Sequence, residues 1–568
     1  MENGQEISLS RSGGEGQGAR HTVTTPSPLP SPPLRGGEGE VARYLANTAK
    51  LEAGHAYSPD QEHDACGVGL IAAIDGVPRR EVVTRAIEAL KAVWHRGAVD
   101  ADGKTGDGAG IHIQVPQEFF RAQVEQTGHK LRSGRIAVGQ IFLPRTDYSA
   151  QETCRTIVES EILRSGFYLY GWRQVPVNLA IIGEKANATR PEIEQVMFDT
   201  SHGHDLEDLD RKLYLCRRRI EQAVRAAAIA DFYVCSLSTR SLIYKGMFLA
   251  EQLANFYPDL TDPRFISAFA IFHQRYSTNT FPTWRLAQPF RMLAHNGEIN
   301  TLKGNVNWMK NHEVKMASEL FGSAAEDIKP IIQPGGSDSA ALDAVFEVLV
   351  RAGRAAPLAK TVLVPEAWSK QASTMPEAHR AMYAYANAVM EPWDGPAALA
   401  ATDGRWVIAG MDRNGLRPMR YALTDDGMLF VGSETGMNAL DDNHVTRKGR
   451  LGPGQMIALD LDEGAFYEDR QIKDKLAAQY PSKNGPSASS TCSRSSDRAT
   501  SPCCSMRPRA AAAKSPPVTP WKRWRPSSIP WWKTPRKPSA RWATIPRWPC
   551  CRTNTGRCRI TSGRIFRK

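Results

Sequence analysis

Cys66, in the run His63-Asp64-Ala65-Cys66-Gly67-Val68-Gly69, is the first residue in this sequence that could carry out covalent chemistry. If the chain is cut before Cys66, one residue supplies a thiol nucleophile and a free α-amine that acts as its base. An α-amine has an ordinary pKa of about 7.7 to 8.0, close to neutral pH, whereas an amide nitrogen accepts no proton. A lone cysteine is more often a small buried apolar residue, so the nucleophile hypothesis needs support from other residues.

Three later segments carry groups that could complete a site around this thiol. Arg275 follows an apolar alternating run, and its guanidinium could hold a carboxylate through two hydrogen bonds, unless it is a structural arginine paired with an acid. The Asn296 amide beside the Gly297 N–H could stabilise an oxyanion, although an Asn-Gly pair in a loop-like position is more often only a turn. Asp338 could accept from an ammonium group or only cap a helix.

The elements that must position these residues can be predicted from periodicity. Residues 66–74 form a short apolar run that favours a buried strand with Cys66 at its end, and the apolar spacing from Val83 to Trp94 predicts a helix that ends near Gly97 and covers the sheet. Alternation over residues 269–273 predicts another strand. Ser337 and the next two residues can cap a helix whose apolar positions are Leu342, Val345, Phe346 and Leu349.

Turn residues indicate the type of sheet. Between residues 397 and 434, three pairs separate apolar runs at spacings typical of a meander of antiparallel hairpins. The pairs are Asp403-Gly404, Asn414-Gly415 and Asp426-Gly427. Antiparallel sheets covered by helices predict the α+β class.

Composition excludes several classes of function. The 568 residues are 41% hydrophobic, which suits a globular protein, and we expect no membrane association because no run approaches about 20 apolar residues. The start of the chain lacks the pattern of a signal peptide, so we expect a cytoplasmic location. The net charge of +12 arises from residues 481–568, which hold 20 Lys and Arg but one acidic residue, Asp497, and so carry +19, while residues 1–480 carry −7. We therefore expect no specific nucleic-acid partner.

The two ends of the chain predict no packed structure. Residues 1–65 begin with a stretch rich in Gly, Ser and Pro and are interpreted as a disordered leader or propeptide. Residues 481–568 combine Arg, Pro, Ser and Trp with six of the ten cysteines and show no regular period. We interpret them as a basic, poorly ordered tail that arises from out-of-frame translation.

Taken together and in this order, these segments resemble the glutaminase domain of the glutamate synthase large subunit, a class II glutamine amidotransferase of the N-terminal nucleophile hydrolase superfamily. The resemblance covers roughly residues 60–478, so we predict one amidotransferase domain over residues 66–480. The insertion between Cys66 and Arg275 favours glutamate synthase over amidotransferases with smaller glutaminase domains. The matching segments are Ala65-Cys66-Gly67-Val68-Gly69, His95-Arg96-Gly97-Ala98, Thr105-Gly106-Asp107-Gly108-Ala109-Gly110-Ile111, residues 273–308, Pro365-Glu366-Ala367-Trp368, residues 390–396 and Asp412-Arg413-Asn414-Gly415-Leu416-Arg417-Pro418.

The resemblance implies a four-layer αββα sandwich of antiparallel sheets and a role for each site residue. Cys66 would be the nucleophile with its own α-amine as base, and Asn296 with the Gly297 N–H would form the oxyanion hole. Arg275 would bind the α-carboxylate of L-glutamine and Asp338 its α-ammonium. Glutamine would be hydrolysed through a thioester to glutamate and ammonia, and in the complete enzyme the ammonia would aminate 2-oxoglutarate.

The same resemblance implies partners and cofactors for the full-length family. These are FMN, an iron–sulfur cluster, and either a small NADPH-oxidising subunit or ferredoxin as electron donor. We expect no metal and no cofactor in this chain, because Cys154, Cys216 and Cys235 are too scattered for a cluster.

Two alternatives remain open at this stage. A Cys-His enzyme with His95 or His273 as base is the rival chemistry. The other reading is an inactive truncated fragment that keeps residues 1–65 and binds polyanions nonspecifically through its tail.

Overall fold

A computed structural model describes residues 66–200, 205–277, 280–369 and 374–479. All of them belong to a single compact unit. The leader and tail predicted above lie outside the described residues.

The described residues form sixteen strands and eleven α-helices. The strands are β1 Gly67–Ala73, β2 Ala109–Ile113, β3 Ile136–Leu143, β4 Tyr168–Gln174, β5 Glu192–Asp199, β6 Tyr233–Ser238, β7 Leu242–Gly246, β8 Phe269–Gln274, β9 Leu293–Gly297, β10 Ala397–Thr402, β11 Trp406–Met411, β12 Arg420–Thr424, β13 Met428–Gly432, β14 Val445–Arg450, β15 Met456–Asp460 and β16 Ala465–Tyr467. The helices are α1 Arg80–Ala92, α2 Gln117–Gln126, α3 Tyr148–Arg164, α4 Glu184–Ala188, α5 Leu206–Ala226, α6 Gln252–Phe256, α7 Leu302–Val314, α8 Asp338–Arg351, α9 Ala356–Leu363, α10 Glu377–Val389 and α11 Asp469–Gln479.

The strands form three sheets in which every recorded pairing is antiparallel. The seven-stranded sheet has the order β14-β12-β13-β1-β8-β2-β7, and the five-stranded sheet has the order β16-β15-β11-β10-β9. A four-stranded sheet has the order β4-β5-β3-β6. Antiparallel sheets with covering helices confirm the α+β prediction.

The two larger sheets pack face to face, with helices on their outer sides. One apolar cluster takes alternate residues from both sheets, such as Val68 and Leu70 of β1 with Ala398 and Ala400 of β10. The opposite face of the seven-stranded sheet packs against α1, and that of the five-stranded sheet packs against α8, α9 and α10. This layer order is the αββα sandwich implied by the resemblance.

The long insertion before Arg275 accounts for the third sheet. Strands β3 to β6 lie between β2 and β7 in the chain; one side of their sheet joins the core around α1 and the other is covered by α3 and α5. The insertion therefore extends the outer layer and leaves β1 and β8 adjacent in the main sheet.

Several local predictions are confirmed. Strand β1 is buried along its whole length with Cys66 immediately before it, and α1 buries Val83, Ala86, Ile87 and Leu90, as its spacing predicted. The α-helix itself ends at Ala92, earlier than predicted, and a 3₁₀ helix, Trp94–Arg96, follows it with Gly97 as its C-cap. Among the described residues, no helix is long and apolar enough to cross a membrane.

The predicted meander is wrong in one respect. The pairs at residues 403–404 and 426–427 each close a hairpin, β10–β11 and β12–β13. Asn414-Gly415, however, connects β11 of one sheet to β12 of the other. A turn signal marks only a local reversal of the chain and does not determine which strand the next strand pairs with.

Candidate functional site

Cys66 immediately precedes β1, the central strand of the seven-stranded sheet, which lies between β13 and β8. Its Sγ accepts a hydrogen bond from the Tyr276 N–H and donates one to the Tyr276 carbonyl, both at 3.3 Å. The pairing of Gly67 with Gln274 brings the start of β1 beside the end of β8. The thiol is therefore held beside the segment that carries Arg275.

The surroundings of this thiol act on its pKa in both directions. Burial raises the pKa of Cys66, while the Tyr276 N–H and the positive charges of Arg275 and Arg417 oppose that rise. The net effect is a pKa above the ordinary value of the group. At neutral pH the thiol is protonated, and a nucleophilic reaction requires a base.

Arg275 is buried just after β8; among the described residues it forms no direct ion pair, although the charges of Asp107 and Asp338 act on it from a distance. Its guanidinium donates to the Leu286 carbonyl at 3.2 Å and to the hydroxyls of Ser277 at 3.2 Å and Thr280 at 2.6 Å. All of these acceptors are neutral. A buried guanidinium that meets only neutral oxygens can still bind an anionic ligand, which argues against a purely structural ion pair.

Asn296 and Gly297 form the end of β9 in the five-stranded sheet, and not a loop as expected from the Asn-Gly pair. The Asn296 Nδ2 donates to the Cys66 carbonyl oxygen at 2.6 Å, so it links the two sheets. Gly297 has a φ of +138°, and a Cβ there would lie 1.8 Å from the Pro396 carbonyl oxygen. Only glycine fits, because β10 approaches the backbone so closely.

Asp338 begins α8, but Ser337 provides the helix cap by accepting from the Ala340 N–H. The Asp338 carboxylate instead accepts from the Ile299 N–H at 2.9 Å and from the Ser339 hydroxyl at 3.3 Å. It is therefore a charged group held between α8 and the chain that follows β9.

One cavity brings these groups together. Cys66, Arg275, Gly297 and Asp338 all line a space of about 180 Å³. Asn296 does not line this cavity and meets Cys66 through the carbonyl contact described above. Pockets for drug-sized ligands occupy about 300–1,000 Å³, so this volume suits a smaller molecule such as one amino acid.

The histidines considered for a Cys-His enzyme occupy other positions. His95 Nε2 lies 2.9 Å from a Glu434 carboxylate oxygen. His273 pairs with Val68 in the sheet and is fully buried, and burial lowers its pKa to about 3. Such a histidine is a poor base for a thiol with a raised pKa.

Sequence reasoning missed three residues that support the site. Asp107 accepts from the Ser277 N–H at 2.6 Å, beside Arg275. His295 lines the cavity, and its Nδ1 lies 2.8 Å from the Ser339 hydroxyl oxygen. Gln288 also lines the cavity and bonds the His295 backbone. All three stand within the matched segments, but their residue types alone did not mark them as part of the site.

Among the described residues, no group of three or more His, Cys, Asp or Glu could hold a metal ion. The part of the chain that the structure describes holds three further free cysteines, which are buried in separate elements: Cys154 in α3, Cys216 in α5 and Cys235 in β6. These residues do not fit an iron–sulfur cluster. The absence of a cofactor from the whole chain stays a prediction.

Comparisons with known proteins agree with this geometry. The family described as class II glutamine amidotransferases matches residues 66–484. The chain is 64% identical over 448 residues to the glutamate synthase [NADPH] large chain of Azospirillum brasilense, an alignment that covers 79% of this chain and 30% of the relative. It is 43% identical over 427 residues to ferredoxin-dependent glutamate synthase 1, chloroplastic/mitochondrial, of Arabidopsis thaliana, covering 74% of this chain and 26% of that protein.

A solved structure titled as the allosteric regulatory enzyme of purine biosynthesis is a more distant match. It has 14% sequence identity and a TM-score of 0.33, and the match covers 71% of this chain and 49% of that one. The chain spans about a third or less of the length of the glutamate synthases it matches. The family match over most of the chain and the high identity to a large chain lead to one conclusion: this chain belongs to the class II glutamine amidotransferases, and its amidotransferase domain is of the glutamate synthase type.

Proposed function

We propose that this chain hydrolyses L-glutamine to glutamate and ammonia with Cys66 as the nucleophile. Glutamine hydrolysis is the general activity of the family to which the chain belongs. The observation that carries the residue assignment is the shared cavity, in which Cys66, Arg275, Gly297 and Asp338 line one small space. These are the groups needed to attack an amide while holding the two charged groups of an amino acid.

The base in this proposal is the α-amine of Cys66, released when residues 1–65 are removed. Burial raises the pKa of the thiol, so a proton acceptor close to Sγ is required. The α-amine is three bonds away from Sγ within the same residue and has an ordinary pKa of about 7.7 to 8.0. With residues 1–65 still attached, that nitrogen is an amide and accepts no proton.

Attack of the thiolate on the side-chain amide carbon forms a tetrahedral oxyanion. The Asn296 amide group has two N–H donors; one is used by the Cys66 carbonyl, and in this proposal the other donates to the oxyanion together with the Gly297 N–H. Loss of one such donor typically costs about 10² to 10³ in kcat. The proton taken from the thiol is returned to the leaving nitrogen, and ammonia departs from a glutamyl thioester.

The charged ends of glutamine are held by residues of opposite sign. Arg275 binds the α-carboxylate with donors that now meet only neutral oxygens, and Asp338 accepts from the α-ammonium. Water then attacks the thioester carbon, glutamate leaves, and Cys66 regains its thiol. Each role uses a group already present in the cavity or in contact with Cys66.

The complete protein of which this domain is typical is a glutamate synthase. In it, the ammonia aminates 2-oxoglutarate, with FMN and an iron–sulfur cluster outside the segment matched here, and with a small NADPH-oxidising subunit or ferredoxin as the electron donor. The names of the relatives include both NADPH-dependent and ferredoxin-dependent enzymes. The higher identity to an NADPH-dependent large chain favours the first, and we place the activity in the cytoplasm.

The test is the intact mass of the purified protein before and after incubation with a diazo-ketone analogue of glutamine, which alkylates the nucleophile of a glutamine site. The expected result is a chain that starts at Cys66 and gains one adduct on that residue. An unlabelled chain that still carries residues 1–65 would contradict the proposal and would instead fit an inactive fragment.

A further inference from the structure

A buried lysine lies behind the cavity and has no role in the mechanism described so far. Lys245, in β7, is 1% exposed. Its Nζ donates to the carbonyls of Arg285 at 3.0 Å and Ala287 at 2.8 Å. The rings of Tyr233 and Phe290 lie 4.8 and 4.7 Å from the same nitrogen. None of the described residues forms an ion pair with Lys245.

Burying an ammonium group without a carboxylate costs stability, because two carbonyls and two rings replace its hydration only in part. An apolar side chain of similar length would fill the same space without that cost. What the ammonium adds is a fixed position for the two carbonyls. The segment that contains these carbonyls, residues 285–288, is here named the bridging segment.

The bridging segment contacts both Arg275 and the strand β9. The Leu286 carbonyl, between the two carbonyls that Lys245 binds, accepts from Arg275 at 3.2 Å. The Gln288 side chain donates to the His295 carbonyl at 3.1 Å and accepts from the His295 N–H at 2.8 Å. The bridging segment therefore joins the guanidinium after β8 to the strand that carries Asn296 and Gly297.

The glycines of the Asp107-Gly108-Ala109-Gly110 run allow this segment to lie close to the sheet. A Cβ at Gly110 would lie 2.6 Å from the Gln288 carbonyl oxygen, and one at Gly108 would lie 3.0 Å from the Ala287 Cβ. The Arg275 N–H also donates to the Gly108 carbonyl at 2.8 Å. The two glycines therefore let the bridging segment pack closely against β2, while Lys245 donates hydrogen bonds to the carbonyls of that segment.

We propose that Lys245 is a positioning residue of the glutamine site, which acts through the bridging segment to set the spacing between Arg275 and the oxyanion strand. This inference rests on the proposed function, because it assumes that the cavity binds glutamine. Lys245 does not line the cavity.

The charge of Lys245 also makes the effect dependent on pH. Burial lowers the pKa of Lys245 to about 8; Cys235 and Asp343 oppose this shift, and the positive charges of Arg291 and Arg275 add to it. Above that pH the nitrogen becomes a neutral amine, whose hydrogen bonds to carbonyls are weaker. We expect the hydrogen bonds from Lys245 to the bridging segment to weaken as the pH rises from 7 to 9.

The test compares Lys245→Met with Lys360→Met. Lys360 is an equally buried lysine, 2% exposed, in α9 on the far side of the five-stranded sheet, and its pKa is also lowered to about 8, chiefly by burial. The readout is the rate of Cys66 alkylation by the diazo-ketone glutamine analogue divided by the rate with iodoacetamide. Iodoacetamide reports the reactivity of the thiol but does not need the carboxylate site.

If Lys245 positions the site, Lys245→Met lowers this ratio by about tenfold or more while the iodoacetamide rate is unchanged. Lys360→Met keeps the ratio of the unmodified chain. An unchanged ratio in a folded Lys245→Met variant would overturn the inference.

A second measurement does not depend on whether Lys245→Met folds. In the unmodified chain and in Lys360→Met, the ratio is expected to fall between pH 7 and pH 9, and a constant ratio would overturn the inference. If the unmodified chain shows no preference for the glutamine analogue at pH 7, the proposed function itself fails and this inference fails with it.

Discussion

At the scale of single residues, the Cys66 nucleophile needs a base, and the buried His273 is not suited to that role. The Cys66 thiol forms two hydrogen bonds with the Tyr276 backbone, and both of them involve neutral groups. His273 is buried and neutral because its pKa falls to about 3. The proposed α-amine is the group whose ordinary pKa and position both fit the proton transfer.

Replacing Cys66 by Ser should reduce glutaminase activity by at least about a thousandfold, since a serine hydroxyl is a far weaker nucleophile than a thiol at neutral pH. Ammonia release from glutamine by the processed protein measures the effect. Cys154→Ala is the matched control, because Cys154 is a buried thiol in α3, in a separate apolar cluster, and we expect activity within about twofold of the original. Retained turnover in Cys66→Ser would remove Cys66 from the mechanism.

Replacing Asn296 by Ala should lower kcat by about 10² to 10³ and change KM little, because the amide acts on charge that develops only in the transition state. Steady-state kinetics with glutamine separates the two constants. A raised KM with unchanged kcat would instead place Asn296 in substrate binding.

At the scale of elements, the connection between the two large sheets depends on one glycine. Gly415 has a φ of +62°, and a Cβ there would lie 2.8 Å from backbone atoms of Pro453. Gly427, in the turn of the β12–β13 hairpin, has a φ of +77° with no atom within 4 Å of a Cβ. The two positions share the left-handed backbone but differ in available space.

This pair gives a matched test of stability. Gly427→Ala should lower the free energy of unfolding by about 1 kcal/mol through backbone strain alone. Gly415→Ala should cost roughly 1 to 3 kcal/mol more, because the Cβ also displaces the backbone that follows β14. Urea unfolding measures both variants, and equal losses would show that the contact with Pro453 relaxes freely.

At the scale of the whole molecule, a buried ionic cluster ties the insertion to the amidotransferase core. Glu221 of α5 accepts from Arg217 at 2.5 Å and from Arg291 at 3.0 Å, and it also pairs with Arg218. Arg217 in turn reaches Glu347 of α8 at 2.6 Å. Since Arg291 precedes β9, this cluster connects three elements that lie behind the site.

The cluster predicts the response of stability to acid. Burial alone would raise the pKa of Glu221, but Arg217, Arg218 and Arg291 lower it from 4.5 to about 2. The unfolded chain therefore binds a proton near pH 4.5, whereas the folded chain does not until about pH 2. The stabilisation from Glu221 is complete above pH 4.5 and is lost as the pH falls toward 2; it is on the order of 3 kcal/mol.

Glu221→Gln should therefore flatten the dependence of the free energy of unfolding on pH between about 4.5 and 2. Urea unfolding at several pH values measures this slope. Glu81→Gln is the control, because Glu81 forms only an exposed pair with Arg85, and its slope should equal that of the original chain. Equal slopes in all three proteins would show that Glu221 does not carry the acid sensitivity.

Local sequence patterns were enough to predict the candidate site residues, the strand after Cys66, the helix that covers it and the capped helix at Asp338. Each of these depends on a local pattern: a residue type, a period of two or 3.6, or a cap within a few positions. The resemblance of the matched motifs also indicated the family and the layered sheets.

Which of these local features contact one another depends on long-range packing. The Asn296 side chain reaches a carbonyl 230 positions earlier in the chain, and Asn414-Gly415 joins two sheets and does not close a hairpin. Lys245 is buried against a segment 40 residues away, which nothing in its own apolar strand indicates. Periodicity shows that a strand is buried, but it does not show which surface buries the strand, because apolar contact has no direction. The pairing between distant strands and the buried polar contacts determine which surface that is.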